Sequence, residues 1–321
     1  MTSRILVVGT DEAGYGPNLG PLVVSSTAWW MPAEFQISDL WQKLDSVVRT
    51  VKAQGDPRLH VADSKQVYSR QAGLGPLERS VLTFLRVVAG DRPKTVRHFG
   101  ELTSSWEFCN GYDTDPCHFS DHAALPVATD EVELDELSSE LQQKLQEQDI
   151  ELAAVSSRVI FPAEFNVLCE CTGSKGALLS EATIELIQEH LANFSDREFA
   201  YVCCDKHGGR NRYDELIAEH SDDAFVFRIQ ESRSQSRYRV GDVEYCFRTK
   251  AEEHLPVALA SMFAKYTREL IMGEFNTFWK SHVPGLRPTQ GYPVDAARFR
   301  DSISDTAAAL GIPESQFWRS R

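Results

Sequence analysis

Asp11 and Glu12 stand side by side in the stretch Gly9-Thr10-Asp11-Glu12-Ala13-Gly14-Tyr15-Gly16-Pro17-Asn18-Leu19-Gly20-Pro21-Leu22-Val23-Val24. The apolar run Ile5-Leu6-Val7-Val8 ahead of them reads as a buried strand, and Leu22-Val23-Val24 as a second one. Two carboxylates at the end of a core strand are costly to hold unless a metal ion or a partner offsets their charge. Successive strand side chains leave on opposite faces, so the two acids converge only if the turn bends them together. Gly14, Gly16 and Gly20 permit that bend and let a ligand approach bare backbone. Pro17 and Pro21 stiffen it. An Asp-Glu pair alone reads first as a solvated loop tip. The density of Gly and Pro around this one argues for a built site.

Two later acids sit where elements meet. Asp205 follows the apolar run 199–204, which reads as a strand; on these residues alone it is equally a turn residue. Glu252 opens the run Thr249 to Arg268, in which small residues (Ala258, Ala260, Ser261, Ala264) alternate with an apolar stripe of Leu255, Leu259, Met262, Phe263, Tyr266 and Leu270. A first-turn acid of such a helix is favoured by the helix dipole whatever else it does.

Positioning these acids requires strands and helices in alternation. Strands are expected at residues 22–30, 152–161, 199–204, 224–229 and 243–248, and helices at 38–51, 76–88, 178–192 and 295–310. The segment 231–239, rich in Ser and Arg, reads as a loop suited to phosphates or to solvent. Between residues 92 and 149 the pattern changes. Trp, Phe, Cys, His and Asp crowd its first half, and an acidic segment with helical spacing at Val132, Leu134, Leu137, Leu141 and Leu145 forms its second. Cys117, His118 and His122 lack the spacing of a zinc site and read as folded loop.

The first stretch, written Asp-Glu-Ala-Gly-x-Gly-Pro-x-x-Gly-Pro-Leu-Val-Val, resembles the signature of the type 2 ribonucleases H, the HII and HIII group. The resemblance implies a ribonuclease H-like α/β fold, a mixed central sheet flanked by helices, that cuts the RNA strand of RNA–DNA hybrids with Mg²⁺ or Mn²⁺. Asp63-Ser64-Lys65 is similar to a family tripeptide leading into a helix beside the active site. Asp205 matches the family's third carboxylate, Glu252 with the helix behind it the fourth, and Gly291-Tyr292-Pro293 the family's Gly-Tyr-Pro segment. In the HII branch that tyrosine stacks on a sugar. The resemblance thus makes Asp11, Glu12, Asp205 and Glu252 the catalytic metal ligands. It makes Gly14, Tyr15, Gly16, Lys65 and Tyr292 the residues that hold an RNA–DNA hybrid or a ribonucleotide-containing duplex.

Two positions depart from the HII pattern. Glu252 stands where HII enzymes carry Asp and HIII enzymes Glu. Tyr15 stands where HII enzymes carry Arg, within the Gly-Arg-Gly backbone that reads the ribose 2′-OH. The rival reading is a non-catalytic module of the same fold, binding hybrids or another protein. Retention of all four acids speaks against it.

Composition sets the frame. The chain has 321 residues, 42% of them hydrophobic and 25% charged, as in ordinary globular proteins. One ribonuclease H-like domain over 1–321, interrupted by an acidic insertion at about 92–149, accounts for the length. Seven cysteines without C-x-x-C spacing read as reduced thiols of a cytoplasmic protein. No apolar run is long enough to span a membrane. The net charge of −14 opposes nucleic-acid binding in sum. Its distribution matters more: residues 129–151 hold nine acids against one base, while Lys206, Arg210, Arg212, Arg228, Arg233, Arg237, Arg239, Arg248 and Lys250 could form a basic face.

Overall fold

The run Leu6-Val7-Val8 is buried throughout because the strand that carries it lies in the middle of a sheet covered on both faces. This strand, β1 (Arg4–Ala13), pairs antiparallel with β2 (Leu22–Pro32), from Arg4 opposite Pro32 to Ala13 opposite Val23. A computed structural model describes residues 3–51, 53, 55–69, 71–103, 123–208, 210–221 and 225–320. Along the chain follow helix α1 (Asp39–Lys43), the short strands β3 (Val48–Arg49) and β4 (Leu59–His60), then helices α2 (Ser64–Val67), α3 (Gly75–Ala89), α4 (Val96–Leu102) and α5 (Glu131–Glu147). Strand β5 (Glu151–Ile160) precedes helices α6 (Pro162–Thr172) and α7 (Lys175–Asn193). Strand β6 (Ala200–Asp205), helix α8 (Asp214–Glu219) and strands β7 (Phe227–Glu231), β8 (Gln235–Val240) and β9 (Val243–Arg248) come next. A 3-10 turn (Ala251–Glu253) leads into the long α9 (Leu255–His282), and α10 (Pro293–Leu310) follows.

The main sheet runs β5-β2-β1-β6-β9-β8-β7. Strands β5, β2 and β1 are antiparallel neighbours, β6 and β9 lie parallel to β1, and β8 and β7 return antiparallel. Alternation along β1 divides the core. Leu6 and Val8 face Ile184, Ile187 and Leu191 of α7 and Leu216 and Ile217 of α8. Val7 faces the opposite layer, built from α3, α5 and α9. Close contact between α9 and β1 rests on Gly9, where any Cβ would collide with Pro256 and Val257. The Thr27 hydroxyl on β2 donates to the Pro256 carbonyl at 2.8 Å, fixing the same approach.

Several elements differ from the sequence expectation. The helix expected over 38–51 stops at Lys43, because Val48 pairs as a strand with Leu59 and buries its side chain; β-branched residues there favour the extended form. The segment 231–239 is mostly strand β8, whose Ser236 and Tyr238 point inward while Arg237 and Arg239 alternate outward. Val132, in the expected stripe of the acidic segment, is 64% exposed, while Leu134, Leu137, Leu141 and Leu145 join the main core beside Val81, Leu82 and Leu85 of α3. Arg86 of α3, itself buried, pairs with Glu131 at 2.6 Å and Asp135 at 2.8 Å. Cys117, His118 and His122 lie outside the described residues.

Candidate active site

The first acidic pair belongs to β1 itself, and the strand ends one residue later, at Ala13 before Gly14. Gly14 adopts φ +89°, which turns the chain away. Because Thr10 is in register with Cys204 of the parallel strand β6, the next residue along, Asp205, comes up beside Asp11. Strand alternation alone would separate Asp11 from Glu12. Instead the Glu12 amide donates to Asp11 Oδ1 at 2.8 Å, and both carboxylates feel Asp205. Asp11 is pushed well above the ordinary carboxylate range, first by burial and then by the Glu12 charge. Burial likewise raises Glu12, with Asp205 adding to it. Their accessible surfaces are intermediate, yet both carboxylates sit deep among protein atoms at the end of the sheet.

Asp205 is held by backbone. Its Oδ1 accepts the Ala251 amide at 3.3 Å, and the amides of Lys206 and Lys250 also bond to its carboxylate. Lys250 takes the left-handed conformation, φ +60°, which side chains rarely adopt, and this reverses the chain after β9. The reversal aims the amides at Asp205 and sets Glu252 on the 3-10 turn beside it. Burial raises both Asp205 and Glu252, and Asp205 adds to the rise of Glu252.

A lysine completes the group. Asp63 caps α2, its carboxylate accepting the Lys65 amide at 3.1 Å. The helix is tied to Asp11 through two serines. The Ser261 hydroxyl of α9 is shared between the Asp11 carboxylate and Ser64 Oγ, 3.1 Å away. The amine of Lys65 is exposed; Asp63 first, then Asp11, Glu12 and Glu252 raise its pKa. The structure therefore brings together Asp11, Glu12, Asp205, Glu252 and Lys65.

Tyr15 flanks the acids, burial and then the Glu12 charge raising its pKa. Its hydroxyl lies against Gly208 and Gly176, and the Lys175 amine stands 5.4 Å from its ring. Gly16 is exposed, with nothing near the place a Cβ would occupy. Tyr292 caps α10 and is 51% exposed. Its loop rests on the glycine-rich turn, since the amides of Asn18 and Leu19 both donate to the Gly291 carbonyl. Gly291, at φ +84°, has no room for a Cβ against Leu19. Four of the nine cations of the expected basic face are neutralised: Arg212 and Arg228 share Asp214, Arg237 pairs with Glu244, and Arg248 with Glu253.

Sequence reasoning missed the residues that hold these loops together. Arg268, buried on α9, donates to the carbonyls of Leu19, Pro21 and Gln290, joining the glycine-rich turn to the Gly-Tyr-Pro loop. Its signal was a cation two positions past Tyr266 on an apolar helix. Asn18 exchanges hydrogen bonds with the backbone of Arg319, whose buried guanidinium packs 4.7 Å from the Phe165 ring. No periodicity marks that contact.

Four carboxylates at the end of a sheet, with no nitrogen or sulfur donor among them, match the oxygen preference of Mg²⁺ or Mn²⁺. Their mutual repulsion is what such an ion relieves. Among the described residues, no three His, Cys, Asp or Glu side chains are drawn into a ready-made cage. The donor set thus fits such an ion in chemistry and charge.

The strand order β5-β2-β1-β6-β9 makes a mixed central sheet flanked by helices, the kind of architecture that the sequence resemblance implied. The fold is α/β. Similar solved structures include the ribonuclease HII of Archaeoglobus fulgidus in complex with PCNA, at 16% identity and TM-score 0.40 over 99% of this chain and 95% of that one. Bst ribonuclease HIII in complex with Mn²⁺ is similar at 11% identity and TM-score 0.44, over 100% of this chain and 68% of that one. Ribonuclease H2 of Pyrococcus horikoshii OT3 is similar at 15% identity and TM-score 0.39, over 98% and 92% respectively. No family profile and no curated protein matches the chain. No helix of the described residues is long and apolar enough to cross a membrane.

Proposed function

We propose that this chain is a metal-dependent endonuclease that hydrolyses the RNA strand of RNA–DNA hybrids. The observation that carries this reading is the gathering of Asp11, Glu12, Asp205 and Glu252 from three separate segments, against their mutual repulsion. A module that only binds has no use for that cost. Asp11, Glu12, Asp205 and Glu252 would hold Mg²⁺ or Mn²⁺, which when bound supplies an activated water and neutralises charge at the scissile phosphate.

The remaining roles fall to the chain's own groups. The Glu12 amide and Ser261 fix Asp11, and three backbone amides fix Asp205, so neither carboxylate is free to swing away. The exposed Lys65 amine, beside the acids, meets a substrate phosphate. Backbone at Gly14 and Gly16 faces the ribose, and Tyr292 packs on a sugar from the adjoining loop. Tyr15, turned towards α7, leaves the Gly16 backbone uncovered.

The test is Asp205→Asn. The variant should fold, lose cleavage of a uniform hybrid by at least about 100-fold, and lose the rise in melting temperature that Mn²⁺ gives the parent protein. Undiminished cleavage would remove Asp205 from the mechanism. A parent protein that binds hybrid but cuts neither it nor a DNA duplex carrying one ribonucleotide would leave a binding module.

A further inference from the structure

Two adjoining cavities, about 520 and 470 Å³, share Arg287, Asp295 and Arg298 in their walls. The first begins at Tyr68, which closes helix α2 just beyond Lys65, and continues past Gln290. The second carries Tyr292 and Val294. Together they make a groove that leaves the Lys65 helix, skirts the Gly-Tyr-Pro loop and ends at the start of α10.

The acids of this groove are already engaged. Glu269 accepts the Lys265 amine at 2.5 Å and the Tyr68 hydroxyl at 2.8 Å. Asp295 pairs with Arg298 at 2.8 Å and accepts the Thr289 hydroxyl at 2.6 Å. Arg287 is exposed and has no ion pair among the described residues, so it sets the groove's sign. Val294 is 91% exposed, in the same wall as the half-exposed Tyr292. An apolar wall beside an unmatched guanidinium suits a chain of sugars joined by phosphates, and suits neither a small apolar ligand nor a cation.

We propose that this groove seats the nucleic-acid strand flanking the cleavage site, with Arg287 on a backbone phosphate and Val294 packed beside Tyr292 on a sugar. The inference rests on the ribonuclease reading for the identity of the strand. It extends the substrate contacts past Lys65 and Tyr292 along the Gly-Tyr-Pro loop and so sets substrate length and register.

The experiment measures binding of a fluorescent RNA–DNA hybrid to the uncleaving Asp205→Asn protein across a salt series. Adding Arg287→Ala should weaken binding roughly 3- to 10-fold and lower the slope of log affinity against log salt by about 1. Arg92→Ala, which removes an exposed arginine paired with Asp135 of α5 outside the groove, should leave both unchanged. Val294→Asp should weaken binding through the charge it sets against the strand. A neutral methylphosphonate at the contacted phosphate should cost the Arg287 protein affinity and cost the Arg287→Ala protein none. Equal affinity and equal slope with and without Arg287 would overturn the groove. Failure of the ribonuclease reading looks different: tight, Arg287-dependent binding by a wild-type protein that never cuts would keep the groove and discard the catalysis. No binding by the Asp205→Asn protein would discard both.

Discussion

Arg268 stands on the buried face of α9 with its guanidinium divided among carbonyls of two loops. A buried arginine is expensive, and here three acceptors that would otherwise lack donors offset the cost. Arg268→Met keeps the stem and removes the donors, so it should destabilise the protein by about 3 kcal/mol, read by urea denaturation. If the proposed nuclease function holds, the same variant should raise KM for the hybrid, since both the glycine-rich turn and the Tyr292 loop lose their common support. Lys250 is the complementary case, a residue whose backbone conformation matters more than its side chain. Its left-handed φ is what turns amides onto Asp205.

Among the elements, the acidic segment is the informative one. Its charge marks it as separate from the rest of the sequence, but α5 contributes four leucines to the main core and two acids to a buried arginine. Leu141→Ala should therefore cost 2–5 kcal/mol in chemical denaturation, as a core truncation does. Glu140→Ala, one residue earlier and exposed, should stay within about 0.5 kcal/mol. The contrast between these positions shows what was legible. Leu134 to Leu145 declared their helix and buried stripe through spacing, and Asp11 and Glu12 declared the site through the glycines around them. Strand β8 was hidden because its inward residues are Ser236 and Tyr238, whose polarity disguises a period of two. The helix expected over 38–51 failed because local apolar spacing cannot reveal that Val48 has a strand partner at Leu59. Arg268 and Asn18 act on loops far away in sequence, which spacing within a window does not register.

Over the whole molecule, charge is sorted by function. The acids of α5 lie outward on one layer, and the arginines expected to form a basic face are mostly consumed in ion pairs. Acid stability is set elsewhere in part, at His190 of α7. Burial pulls its pKa down to about 4, and its Nε2 lies 2.7 Å from the Ser26 hydroxyl. With a folded pKa below the unfolded value, its contribution is complete above about pH 6.5 and drains away as pH falls towards about 4. Denaturation at pH 7 and pH 5 should differ by about 2 kcal/mol from this group alone, a difference His190→Gln removes.

Asn18 reaches across 301 residues to Arg319, with Gly291 bonded to the same turn on the way. A ribosome that has already released all four carboxylates has not yet released this clasp. The nascent chain can thus assemble its sheet and collect its acids while the loops that would grip a substrate hang open. The clasp is the last of these contacts that translation can complete, and a polypeptide truncated before Arg319 carries the acids without it.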